Sequence, residues 1–216
     1  MFSAALGKPQ RDWPRKTVQT GFVFYDQDES AVGQPLEDFL LAGGAPITFT
    51  LGSAAVMRPG RFFEESIAAA RMLGQRALLL MGKNEPPRGL SRDVFAAEYA
   101  PYSAVFRRSV AVVHQGGVGT TAQALRAGVP QLVMPYAFDQ PDNATRVERM
   151  GVGLSIGRRR YAGARAARRL ERLLGGAGDY ATRAKHIAEL VAMEDGLAKA
   201  CDTVERTLAT MGHSAD

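Results

Sequence analysis

The 216-residue sequence predicts an α/β domain, a Rossmann-like parallel sheet flanked by helices. Short apolar runs recur along the chain, and segments with helical spacing of apolar residues separate them. Strands that are apolar throughout are typical of parallel sheets, because crossover helices cover both faces. Glycine, serine or proline closes most of these runs, which marks where the strands end.

Each element is predicted from its local pattern. Apolar or aromatic runs predict the strands, at 20–25, 46–51, 77–81, 94–99, 110–113 and 131–134. Helical spacing and glycine stops predict the helices, at 36–41, 60–73, 103–107, 118–127 and 143–150. Residues 26–34 indicate a loop, and helix with a break at 175–178 is predicted beyond Tyr161. Residues 1–20 lack a sustained period, which predicts a lead-in or linker before one domain at 21–212.

The positive charge is concentrated in one segment. The chain has 27 Lys and Arg against 22 Asp and Glu, a formal net charge of +5, and the excess is largest at 158–172. One interpretation is a solvated helix face with Leu170, Leu173 and Leu174 turned inward. The other is a surface for nucleic acid, an anionic membrane or a charged substrate. We favour the solvated face, and expect neither a nucleic-acid partner nor membrane contact.

The sequence shows no pattern for a disulfide, a membrane span or a secretory signal. The single Cys201 excludes an internal disulfide, and no run approaches the roughly 20 apolar residues of a membrane span. The N-terminal sequence lacks the apolar core of a secretory signal. A cytoplasmic location is therefore expected. His186 and His213 lie in helical or terminal sequence and are expected at the surface.

The segment His114–Thr121 combines a strand end, a glycine-rich turn and a helix start. Glycines let backbone amides approach an anion, and the unpaired amides of a helix N-terminus bind phosphate with the help of the dipole. Two threonine hydroxyls add donors, and a ring nitrogen of His114 can donate to a phosphate oxygen. In an open parallel sheet this turn shares one rim with the ends of other strands, at Gly52-Ser53, Tyr99-Ala100 and 135–140.

Other interpretations of this turn remain. A glycine-rich turn also serves tight packing, and a lone histidine at a strand end is often structural. The run Gly117-Val-Gly-Thr-Thr-Ala122 matches the weak dinucleotide pattern, with an acid about 20 residues on at Asp139. An NAD(P)-binding oxidoreductase domain is therefore the alternative function. Against it, that fingerprint normally follows the first strand and the acid ends the second. A Walker loop is excluded, because the chain contains no Gly-Lys-Ser or Gly-Lys-Thr.

Several short motifs share this part of the chain: His-Gln-Gly-Gly-Val-Gly-Thr-Thr at 114–121, Ala-Gly-Val-Pro-Gln at 127–131, Pro135, Asp139-Gln140 and Asn143-Ala144. Together they resemble the nucleotide-diphosphosugar signature of the UDP-glycosyltransferase superfamily, particularly its bacterial branch of antibiotic and sterol glycosyltransferases. The resemblance extends upstream to Asp12-Trp13-Pro14, Thr20-Gly21-Phe22 and Thr50–Ser53, and downstream to about Cys201.

The resemblance implies a fold and a set of contacts. That family has the GT-B fold, in which two Rossmann-like domains face a cleft and the C-terminal domain binds the donor, here a UDP- or dTDP-hexose. The implied diphosphate contacts are Ser53, His114, Gly119, Thr120 and Thr121. The implied base and ribose contacts are Tyr99, Ala100 and Gln123. Asp139 and Gln140 are the implied contacts to the sugar hydroxyls.

Three of these positions have competing interpretations. Gln123 stands where many members have a glutamate for the ribose, which removes an ionic acceptor. Tyr99 stands where plant members have tryptophan, and a buried core tyrosine is the alternative. Asp139 precedes Pro141 and a predicted helix, so an N-cap is its alternative role.

The resemblance also indicates what the chain lacks. Family members are about twice this length, and their N-terminal domain holds the acceptor pocket and the histidine that deprotonates the acceptor. No catalytic residue is therefore expected here, and the chain is either a fragment or the partner of a separate acceptor-domain subunit. Inverting transfer without a metal or cofactor is implied for the complete enzyme, while the isolated domain should bind without turnover. A non-catalytic nucleotide-binding module is a further hypothesis.

Overall fold

The computed structural model describes residues 3–26, 32–176 and 178–212, and these form a six-stranded parallel sheet with helices on both faces. The strands are β1 (Ile47–Thr50), β2 (Ala77–Leu80), β3 (Val94–Ala97), β4 (Ala111–His114), β5 (Gln131–Val133) and β6 (Gly153–Ser155). Their order across the sheet is β3-β2-β1-β4-β5-β6, and every neighbouring pair is parallel. The predicted fold class is confirmed.

The α-helices that connect and follow the strands are α1 (Gln34–Leu41), α2 (Gly52–Ala55), α3 (Phe62–Met72), α4 (Tyr102–Val105), α5 (Val118–Ala127), α6 (Gln140–Arg149), α7 (Gly163–Leu174), α8 (Tyr180–Ala192) and α9 (Gly196–Gly212). Short 3₁₀ turns lie at Phe106–Arg108 and Arg158–Arg160. Gly128 ends α5 in the left-handed conformation, with φ of 68°. Within the described ranges, no helix is both long and apolar enough to cross a bilayer.

The centre of the sheet explains where a ligand would bind. β1 pairs with β2 on one side and with β4 on the other. The strand order therefore reverses between β1 and β4: β2 and β3 extend the sheet in one direction, and β4, β5 and β6 extend it in the other. In open α/β sheets the crevice beyond the carboxyl ends of such a pair is where ligands bind. The glycine-rich segments after β1 and β4 both lie at this point.

Apolar side chains of the inner strands pack on both faces. On one face, Phe49, Leu79 and Val113 pack with α3 and α7 in one large cluster. On the other face, Leu78 and Val112 pack against α1, α4 and α5, while a third cluster joins β5 to α5, α6 and α8. This alternation is the reason why the inner strands show near-continuous apolar sequence.

The strand predicted at 20–25 does not form. The segment is extended but pairs with no described strand, and Phe22 is buried in the cluster shared with α5 and α8. Gly21 has a φ of 104°, which is outside the strand region. The aromatic run therefore anchors the chain on the helices. Ser3 and Leu6, within the predicted lead-in, are also buried, and the Ser3 hydroxyl donates to Glu194 at 2.9 Å.

Other predicted bounds need smaller corrections. The strand β6 was not predicted, because it has three residues and only one large apolar side chain. The helix predicted from Asn143 begins at Gln140, and an unpredicted break at 193–195 separates α8 from α9. Part of the predicted loop at 26–34 lies outside the described residues. Ala177 of the predicted helix break and His213 also lie outside them. His186 is exposed, as expected.

Close packing of α3 on α7 depends on a glycine. A Cβ added to Gly163 would lie 2.8 Å from the Ala68 Cβ and 3.3 Å from the Glu65 carbonyl oxygen. We expect Gly163→Ala to lower the free energy of unfolding by about 1–3 kcal/mol, the scale of overpacking. Gly157→Ala is the matched control, because its Cβ would meet no atom within 4 Å and its φ of −61° suits alanine. Urea denaturation measures the free energy of unfolding of both variants. Equal values would contradict the close contact between α3 and α7 at Gly163.

Candidate functional site

A cavity of about 400 Å³ opens at the carboxyl ends of β1, β2 and β3 and at the start of α5. The segments that follow these three strands and the first turns of α5 form most of its walls. The predicted site residues that line it are Ser53, Tyr99, Ala100, Gly119, Thr120 and Gln123. The other four predicted residues, His114, Thr121, Asp139 and Gln140, do not line it. Elements far apart in the sequence therefore bring six of the ten predicted residues to one cavity.

The N-terminus of α5 faces this cavity. Gly117 is the N-cap, and Gly119 and Thr120 in the first turn line the cavity. The first backbone N–H groups of a helix have no acceptor within it and attract anions, an effect that the helix dipole strengthens. A Cβ added to Gly119 would meet no atom within 4 Å, so open space lies above this turn. The N–H groups at this end of α5 can therefore donate hydrogen bonds to a ligand in the cavity.

His114 does not face the cavity, which corrects its expected contact with a phosphate. The ring is fully buried, its Nδ1 accepts from the Gly116 N–H at 3.0 Å, and its Nε2 lies 2.9 Å from the Gln131 Oε1. Burial lowers the pKa of His114 from 6.5 to about 4, so the ring is neutral near pH 7. In this structure His114 shapes the turn and supplies neither a free N–H nor a charge.

Gln115, the next residue, is one that the sequence interpretation missed. It is buried, and its side-chain amide lies against the Cα positions of Gly52 and Gly117, where an added Cβ would collide with it. Its Oε1 is buried without a hydrogen-bond partner among the described residues. The sequence does show a polar residue beside His114. The role of Gln115 depends on the direction in which its side chain points, and the sequence alone does not give that direction.

Tyr102 and Thr50 are further cavity residues that the sequence interpretation missed. The Tyr102 hydroxyl lies 2.9 Å from the Thr50 Oγ1 and also makes a side-chain hydrogen bond with Thr120. Burial raises the pKa of Tyr102, which keeps the phenol protonated. The Tyr102 ring stacks on Phe106 at 4.5 Å between centroids. This network holds the Thr120 hydroxyl at the cavity wall.

Thr121 points away from the cavity. Its side chain is fully buried, and its Oγ1 has no hydrogen-bond partner among the described residues. The expected contact between Thr121 and a diphosphate is therefore corrected in this structure. Neighbouring helix residues point about 100° apart around the helix axis. In this structure Thr120 lines the cavity and Thr121 does not.

The loop that holds Asp139 and Gln140 is fixed by its own side chains. The Gln140 Oε1 accepts from the N–H groups of Tyr136 at 2.8 Å and Ala137 at 3.2 Å. The Asp139 carboxylate is exposed and accepts from the Asn143 Nδ2 at 2.7 Å. Asp139 makes no side-chain N-cap hydrogen bond, so the capping alternative is wrong. Phe138 has a φ of 59°, a strained value for an aromatic residue, and its side chain is exposed.

Aromatic and amide groups also line the cavity. Tyr99 is 55% exposed, which excludes the core-tyrosine alternative, and Ala100 is buried and can offer its backbone. Gln123 makes a side-chain hydrogen bond with Asp26, next to the cavity residue Tyr25. Arg126 contacts Asp26 at 2.6 Å, and this hydrogen bond lowers the pKa of the Asp26 carboxyl. The Asp26 carboxylate therefore lies beside Gln123.

Metal ligands are not grouped in the described part of the chain. Among residues 3–26, 32–176 and 178–212, no set of three or more His, Cys, Asp or Glu side chains is placed to hold a metal ion. The polar groups of the cavity are hydroxyls, amides, backbone N–H groups and the Glu98 carboxylate. These groups suit a phosphate-bearing organic ligand.

Comparisons with known proteins identify the family of the chain. The family described as "Erythromycin biosynthesis protein CIII-like, C-terminal domain" matches residues 79–204. The O-mycaminosyltylonolide 6-deoxyallosyltransferase of Streptomyces fradiae is 38% identical over 97% of this chain and 49% of its own length. The vancomycin aglycone glucosyltransferase of Amycolatopsis orientalis is 38% identical over 64% of this chain and 33% of its own length.

Solved structures show the same fold. The spinosyn rhamnosyltransferase SpnG complexed with thymidine diphosphate has a TM-score of 0.70 and 21% identity, over 93% of this chain and 54% of that chain. The fold is therefore that of the C-terminal domain of a GT-B glycosyltransferase. The chain belongs to the erythromycin biosynthesis protein CIII-like C-terminal domain family. It spans about half the length of the first curated relative.

The buried His114 predicts a pH-dependent stability. The unfolded histidine has a pKa of about 6.5, whereas the folded value is about 4. Between these values the unfolded state binds a proton that the folded state does not. The free energy of unfolding should therefore fall as the pH drops from about 6.5 to about 4, by on the order of 3 kcal/mol. Urea denaturation across that range measures it.

The matched variants separate His114 from other titrating groups. His114→Gln should show a smaller loss of stability between pH 7 and pH 4 than the parent chain. His186→Gln, which changes an exposed histidine, should lose as much as the parent. Identical pH profiles for His114→Gln and the parent would refute the role assigned to the buried ring.

Proposed function

We propose that this domain binds the nucleoside-diphosphate sugar of an inverting, metal-independent glycosyltransferase that acts on an acceptor hydroxyl. The observation that supports the proposal is the cavity itself. One wall presents the N-terminus of α5 and the Thr120 side chain, and the other presents the exposed Tyr99 and the backbone of Ala100. An anion site and an aromatic platform in one cavity suit a ligand with a diphosphate and a base.

The diphosphate would bind where β1 and β4 end. The first N–H groups of α5 and the Thr120 hydroxyl would donate to its oxygens, with Ser53 reaching from the loop after β1. Gln115 would contribute its side-chain N–H₂, because its amide already lies between the two glycine-rich segments. These donors stabilise the negative charge that develops on the leaving diphosphate. His114 acts indirectly, by positioning Gly116.

The nucleoside would occupy the side of Tyr99. The phenol ring can stack on the base, the Ala100 backbone can hydrogen-bond to its edge, and the neighbouring Gln123 and Asp26 can accept the ribose hydroxyls. The similar SpnG domain was solved in complex with thymidine diphosphate, which supports a pyrimidine nucleotide in the same class of site. We propose UDP or dTDP as the nucleotide.

The hexose would extend towards the loop after β5. The Asp139 carboxylate is exposed there and can accept hydrogen bonds from sugar hydroxyls. Gln140 uses its oxygen to hold the loop, so its side-chain N–H₂ is the group left to donate. The carboxylate and the amide together can distinguish the orientation of neighbouring hydroxyls.

Transfer would be a direct displacement at the anomeric carbon. The acceptor oxygen forms a bond to that carbon from one face while the bond to the diphosphate oxygen breaks on the other, which inverts the configuration. The acceptor proton passes to a base, and the electron pair of the broken bond leaves with the diphosphate. Relatives of this chain are about twice its length, so we place the base and the acceptor pocket in an N-terminal domain. The isolated domain would bind the donor without turnover.

An NAD(P)-binding domain fits the structure less well. A dinucleotide fingerprint lies after β1, whereas the glycine-rich turn of this chain follows β4. Asp139 does not end the second strand; it lies in the loop after β5 and contacts Asn143. We therefore treat dinucleotide binding as the outcome that would overturn the proposal.

The two adjacent threonines provide the mutational test. Thr120→Val removes a hydroxyl at the cavity wall and should weaken UDP or dTDP binding by about 1.5–3 kcal/mol, the scale of a hydrogen bond to a charged group. Thr121→Val makes the same change at a hydroxyl that points away from the cavity, and should leave affinity unchanged. Isothermal titration calorimetry measures both, and thermal unfolding verifies that each variant folds.

The same titrations decide between the ligand classes. The parent chain should bind UDP, dTDP or their hexose conjugates more tightly than NAD. Binding of NAD alone would refute the glycosyltransferase proposal. Equal affinity losses in the two threonine variants would refute the assigned diphosphate position.

A further inference from the structure

A second recess lies elsewhere on the molecule and shares no lining residue with the cavity described above. It has a volume of about 540 Å³, within the range of about 300–1,000 Å³ that small-molecule sites occupy. One lining residue is Ile156, directly after β6. The remaining lining residues are all arginines: Arg160 from the 3₁₀ turn, and Arg165, Arg168, Arg169 and Arg172 from α7.

These five arginines have no ion-pair partner within the described residues, although Glu171 lies on the same helix. Each is exposed, and none makes an ion pair or a hydrogen bond to an acidic side chain there. Arginines elsewhere in the structure do pair with carboxylates: Arg61, Arg108, Arg126 and Arg146. Nearby Arg158 is also engaged, since its guanidinium lies 4.0 Å from the centre of the Tyr136 ring. What sets the five apart is that they line one recess together.

The spacing along α7 brings like charges together. Arg165 and Arg169 are four residues apart, as are Arg168 and Arg172, so each pair lies on adjacent turns of one face. Like charges at this spacing destabilise a helix. The opposite face of α7 buries Leu170 and Leu173 in the core, which holds the arginines in place. A bound anion would relieve the repulsion.

We propose that this recess binds a soluble anion with two or more linked phosphate groups. The planar guanidinium fork matches phosphate oxygens bidentately, and several forks around one recess can hold linked phosphates together. The arginines of α7 span about 10 Å along the helix, which suits a short phosphate chain. Within 156–174, no large apolar side chain is among the exposed ones, so the recess lacks the groups that insert into a bilayer or stack on bases.

The test titrates inorganic tripolyphosphate into the 216-residue chain and into two charge-matched double variants. Arg168→Gln/Arg172→Gln removes two guanidinium groups from the recess. Arg88→Gln/Arg92→Gln removes two from an exposed loop. We expect the recess variant to lose affinity about tenfold or more and the loop variant to change little. The affinity should also fall as sodium chloride is raised.

The controls separate this recess from the donor cavity and from a lipid surface. Thr120→Val should keep the arginine-dependent binding, because it alters only the other cavity. If Arg168→Gln/Arg172→Gln does not fold, Arg165→Gln/Arg169→Gln replaces it. Equal tripolyphosphate affinity in the recess variant and the parent overturns the proposal. Arginine-dependent binding to phosphatidylserine vesicles without binding to tripolyphosphate also overturns it, since the occupant would then be a membrane.

Discussion

Gly116 is held from both sides by side chains, and the site depends on that restraint. Its N–H donates to the His114 Nδ1 at 3.0 Å, and its carbonyl oxygen accepts from the Asn143 Nδ2 at 2.8 Å. Its φ of 89° and the nearby Val133 side chain exclude larger residues. Because both backbone groups are bonded, the turn is restrained, and α5 begins where its first turn lines the cavity. Asn143 also donates to the Asp139 carboxylate, which couples the turn after β4 to the loop after β5.

The order of the strands explains why two glycine-rich segments meet. β1 and β4 are distant in sequence but adjacent in the sheet, so Gly52 and Gly117 lie on either side of the Gln115 amide. Neither position accommodates a Cβ beside that amide. The two segments are therefore complementary in shape before any ligand binds. Preorganised donors of this kind lose little freedom when a charged group arrives.

Much of the fold could be predicted, because apolar runs separated by helical patterns are specific to a buried parallel sheet. The segment at 20–25 could not, since alternating aromatic residues suit a strand and an extended segment packed on helices equally well. The positions of Ser53, Tyr99 and Thr120 at the rim could be predicted, because the carboxyl ends of parallel strands meet at one edge of the sheet. The inward direction of His114 did not, because its partner Gln131 belongs to a neighbouring strand. Neighbouring residues on a strand face opposite sides of the sheet. The motif alone therefore does not show in which direction the side chains of His114 and Gln115 point.

The extended segment before α1 forms part of the cavity without belonging to the sheet. Tyr25 lines the cavity, and Asp26 contacts Gln123 and Arg126, although the first strand begins only at Ile47. A truncation designed around the secondary structure would keep all six strands and remove this wall. The same truncation would remove Phe22 from the cluster that it shares with α5 and α8. One segment outside the sheet thus contributes both to the packing of the helices and to the wall of the cavity.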